Sequence, residues 1–257
     1  MRFDIVSVLP EIFTSFLTQG VTRRAYDSAQ VDVRLWNPRD FSDGNYRRVD
    51  DRPFGGGPGM VMMAQPLARC VDAIHADREI GAAKAPVILF SPTGRTLTHA
   101  AVQSWSASAG AVLLCGRYEG LDQRFVDRYV THQISLGDFV LSGGEIAAMA
   151  LLDAVARLQP GVLNAQGSHQ FDSFNPALDG LLDCPHFTRP QEWNGQKAPS
   201  VLMSGNHADI KRWRRQQSLL LTHGQRPELI VCAREAGKLT VADEAFLRSF
   251  GTDNRAH

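Results

Sequence analysis

The sequence predicts an α/β protein built on a mostly parallel sheet, followed by a small helical C-terminal domain. Three observations carry this. Through the first 160 residues, apolar strand-like runs alternate with helical stretches, the pattern of a parallel sheet with crossover helices. From Gly161 to about Pro176 the composition shifts to Gly, Asn, Gln, Ser, His and Asp, as in an interdomain linker. Beyond it come three segments that all read as helices. The expected organisation is a domain over residues 1–160, a linker over 161–176 and a helical domain over 177–257.

Taken in order, "RFDIVSVL" is an apolar strand closed by Pro10, and "EIFTSFLTQG" a short helix capped by Gly20. "VDVRLWNP" alternates in the strand manner and stops at Pro38. Residues 39–60, "RDFSDGNYRRVDDRPFGGGPGM", form a polar segment too long for a simple connector, and loops of that size are usually functional. Next stand the strand "APVILFSPTGR", a helix from about Thr98, the strand and loop "GAVLLCGRYEG", the helix "DQRFVDRYV" and the short strand "HQISLG". In "EIAAMALLDAVARLQPG" ten of the eleven residues from Ile146 to Ala156 are apolar, and Ala148, Leu151, Leu152 and Val155 follow the i, i+3, i+4, i+7 spacing. Apolarity this nearly all-round predicts a helix buried on several sides. Ser142 and Glu145 match the S-x-x-E capping box at its start. After the linker, "HADIKRWRRQQSLLL", "RPELIVCAREAG" and "TVADEAFLRSFG" are the three helices.

Bulk properties narrow the class of protein. With 44% hydrophobic and 21% charged residues in a chain of 257, the composition is that of an ordinary globular protein. No run of about 18 apolar residues exists, so no membrane span is expected, and the N-terminus lacks the features of a secretory signal. A cytoplasmic location is the default. The four cysteines lie far apart with no C-x-x-C spacing, which predicts reduced, structural thiols and neither a zinc site nor a disulfide framework. Net charge is zero, but 23 of the 27 basic residues are Arg, whose planar fork suits phosphate; a GC-rich genome produces the same bias.

Four strand ends carry residues able to hold a ligand: "SPTGR" (91–95), "CGRYEG" (115–120), "SLGD" (135–138) and "LSGGE" (141–145). In open parallel sheets the crevice beyond the carboxyl ends of the strands is the ligand site, although each glycine taken singly also fits a tight turn. "FGGGPGM" lacks the Lys-Ser/Thr of a phosphate-binding P-loop, no G-x-G-x-x-G follows a strand, and there is no G-x-S-x-G. Kinase, ATPase, dinucleotide and serine-hydrolase chemistries are therefore disfavoured. In the last third, Lys211, Arg214 and Arg215 fall at i, i+3 and i+4 on one helical face. Between Gly205 and Arg226 five basic residues against one acid leave a local charge of +4, a usable phosphate footprint or a solvated face. Arg47, Arg48 and Arg52 in the long loop, with His186 and Arg189 in "CPHFTRP", are further RNA-binding candidates.

Together "DRPFGGGPGMVM", "SPTGR", "LLCGRYEGLDQR", "SLGDFVLSGGE", "DAVARLQPGV", "DSF", "GLLDCPHFTRP" and "VLMSGNHADIKRWR" resemble, in order and over almost the whole chain, the bacterial tRNA (guanine-N1)-methyltransferase family, TrmD. The resemblance implies methyl transfer from S-adenosylmethionine, assisted by magnesium, to N1 of the guanosine just 3′ of the anticodon in tRNA. It also implies a SPOUT fold with a trefoil knot and a homodimer whose active site draws on both chains; tRNA, and neither DNA nor membrane, is the expected partner. Periodicity contains nothing of a knot, and topology rules argue against one. By the same resemblance Pro92, Gly116, Ser135, Leu136, Gly137, Asp138, Phe139, Val140, Leu141, Gly143 and Gly144 surround the methyl donor. Asp172 is the general base, Arg157 stabilises charge on guanine O6, and Glu119 is an active-site carboxylate linked to magnesium. The chain departs from the family pattern at "GSHQF", where acidic residues are usual, and at "NPAL", which lengthens the stretch before "DGLLDCP".

Overall fold

A computed structural model describes residues 1–78, 84–163 and 168–253. The chain divides into two compact units, Met1–Gln166 and Gly167–His257. In the first, β1 (Arg2–Val6) is followed by α1 (Phe13–Thr18), α2 (Arg23–Asp27) and β2 (Asp32–Trp36). A short antiparallel pair, β3 (Asp50–Asp51) and β4 (Val61–Met62), leads into α3 (Ala64–Asp77). Then come β5 (Val87–Thr96), α4 (His99–Ser106), β6 (Gly110–Leu114), α5 (Gln123–Tyr129), β7 (His132–Ser135) and α6 (Glu145–Ala156).

Five strands make one sheet in the order β2-β1-β6-β5-β7, with every neighbouring pair parallel. Because all five run the same way, their carboxyl ends lie along one edge. Alternation along the strands splits the core in two. Ile88, Phe90, Ala111 and Leu113 join Phe13, Val102 and the buried residues of α6 on one face, whereas Val87, Leu89, Val112 and Leu114 join α3 and α5 on the other. Strands buried on both faces read as continuous apolar runs, which is why "VILF" and "AVLL" were recognisable. In α6, Ala148, Leu151, Leu152, Val155 and Ala156 have no exposed surface. Truncating such a leucine costs about 2–5 kcal/mol. Among the described residues two carboxylates are buried in this unit, Asp4 and Glu145; Asp4, with no exposed surface, is held by Arg2, Arg78 and the indole N–H of Trp36, tying β1, β2 and the end of α3 together.

The structure corrects the sequence expectations in three places. α2 and α3 stand where no element is expected. Residues 39–60 are not structureless: a 3-10 turn Pro38–Phe41, capped by the Asn37 side chain, opens them, and the β3–β4 pairing pins Asp50 and Asp51 to Met62 and Val61. The capping box at Ser142 and Glu145 does not form. Gly144 is the N-cap, no side chain caps the helix, and the Glu145 carboxylate turns inward.

In the second unit, 3-10 turns at Ser168–Phe171 and Pro176–Leu178 precede a hairpin of β8 (Glu192–Trp193) and β9 (Gln196–Lys197). After a turn at Ser200–Met203 come α7 (His207–Gln225), α8 (Pro227–Glu235) and α9 (Val241–Asp253). Asn206 starts α7 by accepting hydrogen bonds from the backbone of Ala208 and Asp209, and Pro227 occupies the first turn of α8, where its missing N–H costs nothing. Leu181, Leu219, Ile230 and Ala233 form its core. Of the expected linker, Val162 is buried in the first unit's core, residues 168–176 pack in the second unit, and residues 164–167 lie outside the described residues. Among the described residues no helix is long and apolar enough to cross a membrane.

Candidate functional site

The carboxyl edge of the sheet opens into a cleft of about 620 Å³. Three loops wall it, one interrupting β5 and two following β6 and β7. Along β5, Phe90 and Arg95 both pair with Ile134, so residues 91–94 loop out of the ladder and present Pro92 to the cleft. Gly94 brings the chain back: a Cβ there would fall 2.5 Å from the backbone of Gln133 and Ile134. From the other two loops, Gly116, Ser135, Leu136, Phe139, Val140, Leu141, Gly143 and Gly144 also line the cleft. Gly137 and Asp138 belong to the same loop but are not among its lining residues; Gly137 instead exchanges hydrogen bonds with the Ser135 hydroxyl.

Two of these loops are bound to each other. The Gly144 N–H donates to Gly116 O at 3.0 Å, and a Cβ on Gly144 would lie 2.8 Å from Cys115 Cα. Bare main chain is therefore a packing requirement here, and it leaves peptide groups within reach of a ligand. Burial pushes the Cys115 thiol well above its ordinary range, with Glu145 adding to the effect, so this cysteine is no nucleophile.

Beneath the loops lies a network that no local pattern announces. Glu145 is 1% exposed, accepts a hydrogen bond from the Ser7 hydroxyl at 2.7 Å and pairs with Arg117 Nε at 3.0 Å. Arg117 also donates to Ser142 O at 3.4 Å. The residue after β1, the "CGRYEG" loop and the start of α6 are thus joined through the buried Glu145 carboxylate. Glu119 is exposed on the cleft wall; its N–H donates to Met60 O, and a Cβ on Gly59 would collide with its side chain, so "GGGPGM" runs directly beside it. Tyr118, at φ 60°, precedes Glu119, and burial together with Asp50 raises its hydroxyl above the ordinary phenol range.

The other expected residues are distributed as follows. Arg157 caps the carboxyl end of α6 in the first unit. Asp172 is half-buried in the second unit, in the turn after Ser168–Phe171, with its N–H donating to His169 O. Arg47, Arg48 and Arg52 are exposed, the first two beside Asp40 at 3.1 Å and Asp51 at 3.2 Å. His186 and Arg189 are exposed, with His186 paired to Asp183 at 2.9 Å. On α7, Lys211 and Arg214 face solvent. Arg215 is half-buried: its guanidinium bonds Asp243 twice at 3.0 Å and reaches Asp179 at 2.9 Å. Among the described residues no group of three or more His, Cys, Asp or Glu could hold a metal ion.

Comparison with known proteins agrees with this architecture. The family model described as tRNA (Guanine-1)-methyltransferase TrmD matches residues 1–232. Curated proteins named tRNA (guanine-N(1)-)-methyltransferase are similar over nearly their full lengths. The Albidiferax ferrireducens protein is 71% identical over 97% of this chain and 99% of its own, and the Polaromonas protein 68% identical over 96% of each. The Bordetella pertussis protein is 55% identical over the whole of both. Matched across most of its length by that family model, the chain belongs to the tRNA (Guanine-1)-methyltransferase TrmD family.

Proposed function

We propose that the chain transfers the methyl group of S-adenosylmethionine to N1 of the guanosine immediately 3′ of the anticodon in tRNA, acting as a homodimer with a SPOUT-type trefoil knot. The observation that carries this reading is the glycine-walled cleft at the carboxyl edge, strapped by the Gly144 to Gly116 bond, in a member of this family. The cleft fits the donor chemically. Its volume of about 620 Å³ suits a nucleoside-sized ligand, and main-chain groups at Gly116, Leu136 and Leu141 can read an adenine edge. Phe139, Val140 and Ile146 are 55%, 83% and 55% exposed, an apolar surface that a second copy would cover.

When bound, S-adenosylmethionine supplies an electrophilic methyl group. Guanine N1 is protonated at neutral pH, so the chain must remove that proton as the nitrogen lone pair forms its bond to carbon and the carbon–sulfur bond breaks. Asp172 is the proposed acceptor, and positioned proton transfer contributes roughly 10²- to 10⁴-fold. Arg157 is proposed to hold the negative charge that grows on O6, a contribution of about 3 kcal/mol in comparable sites. Glu119, on the cleft wall, is the carboxylate proposed to carry magnesium. A single exposed carboxylate leaves such an ion largely hydrated. Lys211 and Arg214, with Arg47, Arg48, Arg52, His186 and Arg189, are proposed to bind phosphates, and the guanine must leave its stack at a cost of a few kcal/mol. With tRNA as its substrate, the enzyme is proposed to work in the cytoplasm.

The test is product analysis. Purified protein, labelled S-adenosylmethionine, magnesium and unmodified tRNA with G at the target position should yield 1-methylguanosine, and tRNA with A there should yield none. Label in another base or in ribose would move the enzyme to a different methyl-transfer reaction. No label at all would leave an RNA-binding protein.

A further inference from the structure

We propose that Arg215 is a positioning residue that holds the turn carrying Asp172 against the helical unit, and not an RNA contact; this rests on the reading of Asp172 as the base. Helical spacing alone puts Arg215 on the stripe of Lys211 and Arg214, yet its side chain is only 24% exposed. Nε and Nη2 bond the two oxygens of Asp243 at 3.0 Å each, and Nη2 also reaches Asp179 Oδ2 at 2.9 Å. A guanidinium shared by two carboxylates carries a local charge of −1, which repels phosphate. Its fork geometry is used up in bidentate pairing, the strongest arrangement open to it.

Asp179 is where this grip meets the turn. It stands at φ 61° directly after Pro176–Leu178 and donates its N–H to Pro176 O. Between it and Asp172 sits Asn175, 6% exposed and bonded on all sides. Its Nδ2 donates to His169 O at 3.0 Å, its Oδ1 accepts from Ala177 N at 2.9 Å, and its own N–H donates to Asp172 O at 3.2 Å. Phe174 N–H donates to the O of wholly buried Leu181, and Ser173 Oγ accepts from Asp183 N. Leu182 in turn donates to Thr222 Oγ1 and accepts from Ser218 Oγ, both on α7. One helix therefore presents Lys211 and Arg214 to solvent and, from Arg215 to Thr222, grips the loop that carries the base. Docking RNA on this unit and placing Asp172 become one event.

The test uses the full-length protein with unmodified tRNA. It measures the single-turnover rate at saturating substrates, the salt dependence of tRNA affinity, and donor binding by calorimetry. Arg215→Lys keeps the charge and loses the fork, and Asn175→Ala loosens the same turn from its other end. Both are expected to lower the rate at least about 10-fold, since a misplacement of about 1 Å can cost 10²-fold. The salt slope and donor affinity should stay those of the parent, whereas Arg214→Ala should flatten the slope. In the double variant Asp172→Ala with Arg215→Lys, action through Asp172 predicts no loss beyond Asp172→Ala alone; losses that multiply would make Arg215 a general structural residue and overturn the proposal. A flattened slope with an intact rate for Arg215→Gln, which removes the charge, would return it to the RNA face. If Asp172→Ala costs only a few-fold, the base reading itself fails. If Asp172→Ala is crippling while Arg215→Lys and Asn175→Ala keep the parental rate, the base stands and the positioning role falls.

Discussion

The two units are built at their candidate sites from opposite materials. The cleft of the first is walled by main chain, and its shape comes from backbone contacts such as Gly144 on Cys115 and Gly116, where any side chain would be in the way. The Asp172 turn of the second is held by side chains: Asn175, Ser173, Asp179, Arg215 and Thr222 all act as struts. Backbone walls are set by fold and tolerate almost no change of residue. Side-chain struts can be altered one atom at a time, so geometry there can be tuned without remaking the unit.

The sharpest way to break this contrast is to remove the proposed base. Asp172→Ala should cut single-turnover methyl transfer by roughly 10²- to 10⁴-fold while the heat of donor binding stays that of the parent protein. Lost donor binding would mean that the turn builds the cleft, and the division of labour would be void. Next in size is Gly144→Ala. The added methyl would sit 2.8 Å from Cys115 Cα and 3.2 Å from Gly116 N, and overpacking of this kind costs about 1–3 kcal/mol. Calorimetry should show donor affinity down by about 10-fold or more. Unchanged affinity would show that the two straps separate freely and that bare main chain is not required there.

What could be seen in the sequence follows the same divide. The strands and glycine loops of the first unit were legible because doubly buried strands are apolar throughout and close backbone approach demands glycine. α3 went unread: Leu67, Cys70, Val71 and Ile74, all of them buried, follow the i, i+3, i+4, i+7 spacing, but Pro66 and the polar residues between them masked it. Pairings across the fold left no local trace. The S-x-x-E spacing of Ser142 and Glu145 points to a capping box, yet Glu145 is drawn inward by Arg117 and Ser7, far away in sequence. Arg215 shares a helical stripe with Lys211, and only the carboxylates of Asp179 and Asp243 reveal that its edge of the stripe turns inward.

Smaller effects sharpen the picture of the second unit. Changing Lys211 and Arg214 together to Ala should raise the tRNA Michaelis constant. It should also flatten the slope of log affinity against log salt by roughly 0.7 to 0.9 for each phosphate the helix no longer neutralises. An unchanged slope would make that face of α7 a solvated surface and leave RNA recognition to the other basic residues.

The smallest expected effect reports on the struts themselves. Burial alone would raise the Asp243 carboxyl, but the Arg215 guanidinium, with the Thr240 N–H and hydroxyl, outweighs it and holds the group below the ordinary carboxylate range. A carboxyl depressed in the folded state adds stability that is fully present above its unfolded value, near 4, and drains away as pH falls through the folded value. The melting of helical signal in Asp243→Asn should therefore lie below that of the parent protein by a constant margin from pH 7 to about pH 5. The margin should close in stronger acid, once the parent's own carboxyl is protonated. With two units in one chain the comparison belongs to the midpoint of the helical signal, not to a single unfolding free energy. A margin that persisted undiminished to pH 2 would mean that Asp243 stabilises the unit without its charge, and the ion pair with Arg215 would lose its role as a strut.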